Sequence, residues 1–158
     1  MIRVLGIDPG YDRLGIAILE GTRETHALLH SECFETGKNL PFAERLHAGI
    51  ERIVSVIDQF SPDVIALETL FFSNNQKTAM HVAEVRGALL YVAQNANCQI
   101  QEFAPQQVKS AVAGSGRGSK EDVAAMLHHL IEIPDKKMRD DEYDAIAVAL
   151  TALVSHSR

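Results

Sequence analysis

Four acidic residues stand at positions that call for an explanation. Asp8 ends a short apolar run and is followed at once by Pro9-Gly10, and Glu68 interrupts the apolar stretch "DVIALETLFF". Asp141 and Asp144 stand three apart in "DDEYDAIAVAL". Carboxylates are depleted in strands, and a buried, unpaired charge is costly, so Asp8 and Glu68 each demand a partner: a metal, a base or a turn. Residues three apart on a helix share a face, so Asp141 and Asp144 could join them at a sheet edge. Four converging carboxylates repel one another unless cations neutralise them, and oxygen-only ligation selects hard ions such as Mg²⁺ or Mn²⁺. Two such ions about 4 Å apart would clamp the attacking and leaving oxygens of a phosphodiester.

Each residue also has a purely structural reading. Asp8 before Pro-Gly suits a turn-initiating residue. Acids in a first helical turn are stabilised by the macrodipole, which accounts for Asp141 and Asp144 taken alone. Glu68, flanked by "VIAL" and "LFF", is the hardest to explain structurally.

The elements that must position these residues follow from periodicity. Arg3 to Asp8, Leu14 to Glu20 and His26 to Glu35 read as strands of an antiparallel meander, joined through Pro9-Gly10 and Gly21-Thr22. Between Leu40 and Phe60 apolar residues recur every three or four positions, predicting a helix that Ser61-Pro62 ends. Asp63 to Phe72 suits a strand buried on both faces. Asn75 to Ala96 is a long helix, apolar on more than one side, whose small Ala79, Ala83 and Gly87 permit close approach of another element. Gln99 to Phe103 is a fifth strand, Pro105 opens a short helix, and Ser119 caps a helix running to about Glu132. A last helix starts at Asp140 or Asp141. The pattern predicts one α/β domain over residues 1–158 with a five-stranded mixed sheet, a three-strand antiparallel meander plus parallel strands, flanked by helices. A right-handed crossover would set the fourth strand parallel to the first, bringing Asp8 and Glu68 to the carboxyl ends of parallel strands, where ligands of open sheets bind.

The chain has 158 residues, 46% of them hydrophobic, and a formal net charge of −6. That balance excludes a uniformly basic nucleic-acid binder and leaves only a local basic surface. One exists: Ala104 to Lys120 contains Lys109, Arg117 and Lys120 and no acid. No stretch is long and apolar enough for a bilayer span and no signal-peptide pattern opens the chain, so a soluble, cytoplasmic protein is expected. Cys33 and Cys98 form no CxxC unit and read as reduced thiols. The "GSGRGSKE" loop is neither a P-loop nor a dinucleotide fingerprint, and the seven histidines form no HExxH motif. Phe71 and Phe72 read as core, or, if exposed beside a nucleic acid, as a stacking wedge.

Together, "GIDPG" at 6 to 10, "IALE" at 65 to 68, "QVK" at 107 to 109, a Gly-rich loop before Lys120 and "DxxDA" at 141 to 145 resemble the RuvC-type Holliday junction resolvases. The likeness runs in order from Gly6 to about Leu150. It implies an RNase H-like fold in which Asp8, Glu68, Asp141 and Asp144 are catalytic carboxylates binding two Mg²⁺ ions per subunit, with Mn²⁺ able to substitute. It further implies that Lys109 and Lys120 contact DNA phosphates near the site, that Phe71 inserts at the junction crossover, and that the helix from Asn75 to Ala96 forms a homodimer interface. Arg117, in the same basic loop, is expected on the DNA side. The expected activity is symmetric nicking of four-way junction DNA, leaving 5′-phosphate ends, with a branch-migration motor complex as a further partner. The chain departs from the family in its acidic net charge and in ending soon after the last helix without a basic tail, so more salt-sensitive junction binding is expected.

Three rivals remain at this point. A YqgF-type RNase H-like nuclease acting on RNA shares the "D-x-G" first strand, but the "DxxD" helix and the Lys109 and Lys120 pair favour the resolvase. An actin-like phosphotransferase would need a second domain to enclose ATP. An inert junction-binding module would not need all four carboxylates.

Overall fold

The computed structural model describes residues 1–10, 12–69 and 76–156. Strands β1 (Ile2–Asp8), β2 (Arg13–Gly21) and β3 (His26–Glu35) form the meander, and helix α1 (Phe42–Phe60) leads to β4 (Val64–Glu68). Helix α2 (Gln76–Asn95), strand β5 (Gln99–Phe103) and helices α3 (Pro105–Ala113), α4 (Lys120–Leu130) and α5 (Asp140–Ser155) complete the described elements. The sheet order is β3-β2-β1-β4-β5. β2 is antiparallel to β1 and β3, whereas β4 is parallel to β1 and β5, in the mixed pattern the sequence predicts.

Alternation along the strands sorts side chains onto two faces. Leu5, Ile7, Ile16, Ile18, Ile65 and Leu67 form one buried layer with Ile53 and Val56 of α1 and Val85 and Leu89 of α2. Val4, Ala17, Leu19, Val64 and Ala66 form the other with α3, α4 and above all α5, whose residues from Ala145 to Leu153 are all buried. Both faces of β1 and β4 are therefore covered, which is why they read as nearly continuous apolar runs.

Several element ends differ from the sequence expectation. β4 stops at Glu68; Thr69 still donates its backbone N–H to the Phe103 carbonyl at 2.8 Å, and Leu70, Phe71 and Phe72 lie outside the described residues. α4 ends at Leu130 and not near Glu132, because Ile131 adopts extended dihedrals and buries its side chain in the core, with Pro134 just downstream. α1 ends as expected, with Ser61 in the left-handed region at φ 47° ahead of Pro62.

Two glycines set how closely α5 lies on the sheet. A Cβ on Gly6 would fall 2.2 Å from the Ala145 carbonyl oxygen, and one on Gly15 would fall 1.9 Å from the Asp141 carbonyl oxygen. Only a residue without a side chain allows backbone to meet backbone there. The helix start is tied down further by Glu142, which is buried, accepts a hydrogen bond from Ser31 Oγ at 3.2 Å and pairs with Lys136 Nζ at 2.9 Å. The loop after Asp8 is braced by the buried Arg45, whose Nε donates to Thr36 Oγ1 at 2.9 Å and whose guanidinium pairs with Asp12.

Gly15→Ala is expected to destabilise the protein by about 1–3 kcal/mol, the usual cost of overpacking a tight core. Urea unfolding measures this, and a loss below about 0.5 kcal/mol would show that α5 can retreat from β2 at little cost.

Candidate active site

Register brings the first two acids together. β1 and β4 pair in parallel with Ile7 opposite Leu67, so Asp8 and Glu68 end neighbouring strands on the face that α5 covers. The helix arrives with Asp140, Asp141 and Glu142 in its first turn and with no side-chain cap at Arg139, so acids near its free N–H groups are electrostatically favoured. Asp141 and Asp144 thereby reach the same edge.

The four carboxylates feel one another. Burial, then Asp144, Asp141 and Glu68, push the Asp8 carboxyl from 3.8 up to about 7, against the pull of Lys120. Glu68 is also raised, by burial and then by Asp144, with Lys120 and Lys109 opposing. Crowding of this kind is what a functional carboxylate cluster produces when its countercharge is incomplete.

Part of the countercharge comes from the protein. Lys120 Nζ donates to Asp144 Oδ2 at 2.7 Å, a bond that raises the lysine's own pKa. A lysine in the first turn of a helix is disfavoured by the macrodipole, so its position in α4 is explained by the carboxylate it meets and not by the helix. Ser119 fixes that turn: its hydroxyl accepts from the Asp122 N–H at 3.1 Å, and Asp122 accepts from the Ser119 N–H at 2.8 Å. Lys109, half-buried on α3, lines one cleft with Lys120, Glu68 and Asp144.

On the other side, Arg13 Nε lies 3.3 Å from Asp141 Oδ2, and Cys33 Sγ donates to the same oxygen at 3.7 Å. Burial, then Asp141 and Glu35, push the Cys33 thiol up to about 11, so it is a neutral donor here. Neither residue stands out in the sequence. Gly15 is the available signal, since glycine inside a strand marks a close approach, and its partners Asp8 and Cys33 lie to either side of it.

Asp8, Glu68, Asp141, Asp144, Lys109 and Lys120 are thus brought to one edge. Arg117 is exposed in the loop between α3 and α4, where its backbone N–H bonds Ser115 Oγ at 3.3 Å, and no contact joins it to the carboxylates. Phe71 lies outside the described residues. Among the described residues no three acidic, imidazole or thiol groups already close on a single point as metal ligands. Repulsion and the two ion pairs account for that: Asp144 and Asp141 are each turned toward a cation of the protein. The donor set itself, four crowded carboxylates, fits a hard divalent cation.

A mixed sheet in this order, with acids at the carboxyl ends of β1 and β4 and at the head of a helix laid across them, defines an RNase H-like fold. More narrowly, residues 4–152 match the family model described as crossover junction endodeoxyribonuclease RuvC, and the chain belongs to that family. The RuvC crossover junction endodeoxyribonuclease of Thermotoga maritima is 39% identical over 160 residues, spanning 99% of this chain and 94% of that relative. The structure of Thermus thermophilus RuvC in complex with a Holliday junction substrate superposes with a TM-score of 0.89 at 33% identity, covering 96% of this chain and 92% of the other. A yeast mitochondrial Holliday junction resolvase shares the fold, with a TM-score of 0.71 at 14% identity over 96% of this chain and 77% of its own.

The raised Asp8 carboxyl has a consequence for stability. A group whose pKa is higher folded than unfolded binds its proton more tightly in the native state, so its contribution is complete below about 3.8 and is lost as pH rises through about 7. Asp8→Asn cannot ionise and should stabilise the metal-free protein at pH 8 by ~1–3 kcal/mol while changing little at pH 4. Melting curves of both proteins in EDTA across that range test this, and parallel pH profiles would refute it.

Proposed function

We propose that this chain is a divalent-metal-dependent endodeoxyribonuclease that resolves four-way (Holliday) DNA junctions by paired symmetric nicks, in homologous recombination and repair. The observation that carries this reading is the meeting of Asp8, Glu68, Asp141 and Asp144 at one sheet edge, flanked by Lys109 and Lys120, in a member of the RuvC family. The family match along residues 4–152 favours junction DNA over the RNA substrate of a YqgF-type nuclease. Residues 1–158 act as a single nuclease domain in a cytoplasmic protein. Among the described residues no helix is long and apolar enough to cross a membrane.

The four carboxylates would hold two Mg²⁺ ions, for which Mn²⁺ can substitute. Ions held there would supply a lowered pKa for an attacking water and charge stabilisation for the leaving 3′-oxygen of a cut that leaves a 5′-phosphate. Lys120 and Lys109 bring positive charge to the cleft beside Glu68 and Asp144, where a scissile phosphate gathers negative charge in the transition state. Arg117, on the exposed loop before α4, supplies a backbone-phosphate contact, and Phe71 a wedge at the crossover. With the chain at net charge −6, attraction for DNA depends on this local surface and should fall steeply with salt.

Two cuts need two active sites, and a two-fold dimer supplies them. α2 is suited to the interface. Its Val85, Leu89 and Ala93 are buried in the core, while Met80 and Tyr91 remain 65% and 69% exposed on another side. A Cβ on the exposed Gly87 would meet nothing within 4 Å, so the chain's own packing does not require glycine there. A partner helix would. A branch-migration motor is the expected further partner.

Labelled synthetic four-way junctions and linear duplexes, each with Mg²⁺ or EDTA, test the activity. Asp8→Asn and Glu68→Gln should abolish nicking with junction binding kept, and wild-type nicking by either variant would remove the metal site. Lys120→Ala and Lys109→Ala should slow cleavage at saturating junction by about 10-fold or more, a scale set by loss of one transition-state contact. Gly87→Arg should sediment as a monomer and lose paired incision of a supercoiled cruciform; paired nicks by a monomer would overturn the dimer.

A further inference from the structure

Arg13 is the first residue of β2, and the sheet order sets it across Asp8 from the side where β4, α3 and α4 present Glu68, Lys109 and Lys120. Protein cations thus flank the carboxylates on both sides, Lys120 on Asp144 and Arg13 on Asp141. The two pairs differ in tightness: Lys120 sits at 2.7 Å, whereas Arg13 sits at 3.3 Å with its side chain 48% exposed. Glu35 lies opposite Arg13 in the strand pairing, but it is engaged by Arg139 at 2.6 Å. Arg13, Arg139, Asp140 and Asp141 together line an open cleft.

While Asp141 Oδ2 is paired with Arg13, that oxygen is less available to a metal, and the guanidinium repels a second cation on the same carboxylate. The backbone of α5 is pinned at Asp141 by the close approach of Gly15, so the carboxylate can be delivered only by rotation of its side chain and not by a shift of the helix. What releases it must give the guanidinium a better partner, and a planar, fork-shaped cation at an open cleft matches a phosphodiester oxygen pair. A DNA strand with its scissile phosphate over Asp8, running along this sheet edge, would bring a neighbouring phosphate toward Arg13.

We propose that Arg13 is a positioning residue that holds the Asp141 carboxylate in the DNA-free protein and exchanges it for a backbone phosphate when junction DNA binds. DNA binding and divalent-cation binding at the carboxylates then promote each other, since coupling between two ligands is reciprocal. The proposal rests on the resolvase reading above and adds to it a residue that favours metal loading on the nucleic acid.

Arg13→Gln tests the exchange through two binding measurements that need no turnover. Calorimetric titration of the DNA-free protein with Mg²⁺ should show about three- to fivefold tighter binding in the variant, the scale of losing one half-exposed ion pair and its charge. Junction binding in EDTA, followed against salt, should lose about one unit of log–log slope, the signature of one phosphate contact. Arg13→Lys loses the fork, and with it some junction affinity, but keeps the charge that both readouts report, so its salt slope and Mg²⁺ affinity should stay near wild type, which separates the exchange from a general disturbance of β2. Unchanged Mg²⁺ affinity, an unchanged slope, or an Arg13→Lys protein that behaves like Arg13→Gln would each overturn the proposal. Failure of the wild-type protein itself to bind junctions or Mg²⁺ would instead overturn the resolvase reading.

Discussion

Carboxylates repel, and in this fold they are kept together by backbone packed on backbone. Gly6 and Gly15 let α5 lie so close to β1 and β2 that the helix carbonyls of Ala145 and Asp141 occupy the space a Cβ would take. The buried face of α5 then supplies the hydrophobic free energy that holds Asp141 and Asp144 beside Asp8 despite their charge. Burial first, and then the neighbouring acids, raise the Asp8 and Glu68 carboxyls accordingly. Stability is set against charge crowding at one place, which is a common property of sites that bind cations.

The rest of the site is arranged around this strain. Lys120 and Arg13 relieve it from opposite sides with ion pairs of unequal tightness. Ser119 caps α4 so that Lys120 projects from its first turn, and Arg45 braces the loop between Asp8 and Arg13 through Asp12 and Thr36. Protein cations that pair with the cluster are also exposed enough to meet a phosphate, so under the function proposed above the same side chains would answer to both the carboxylates and the substrate.

The two faces of the sheet divide the work. The α3, α4 and α5 layer carries the acids and the basic surface beside them, whereas the α1 and α2 layer is built from long aliphatic side chains and offers the exposed Met80, Gly87 and Tyr91 side of α2 outward. Although the chain carries a net charge of −6, Lys109, Lys120 and Arg13 stand beside the carboxylates, so a local positive surface flanks the cleft.

Much of this is legible in the amino-acid sequence. Strand alternation, Pro9-Gly10, the Ser61-Pro62 stop and the Ser119 cap are local signals, decided by dihedral preference and hydrogen bonding within a few residues, and they place the elements to within a few positions. The isolated charges Asp8 and Glu68 mark the site because a buried carboxylate is costly wherever the strand goes. The end of α4 departs from its helical pattern because burial of Ile131, a tertiary contact, overrides it. Strand order, the seating of α5 on Gly6 and Gly15, and the ion pairs of Arg13 and Lys120 depend on residues far apart in the chain: Asp141 meets Cys33 across 108 positions, and Asp144 meets Lys120 across 24. Such contacts depend on which surfaces pack, which no local pattern encodes. The sequence by itself determined which residues had to find a countercharge; the tertiary structure decided which protein cations supply part of it, and from which side.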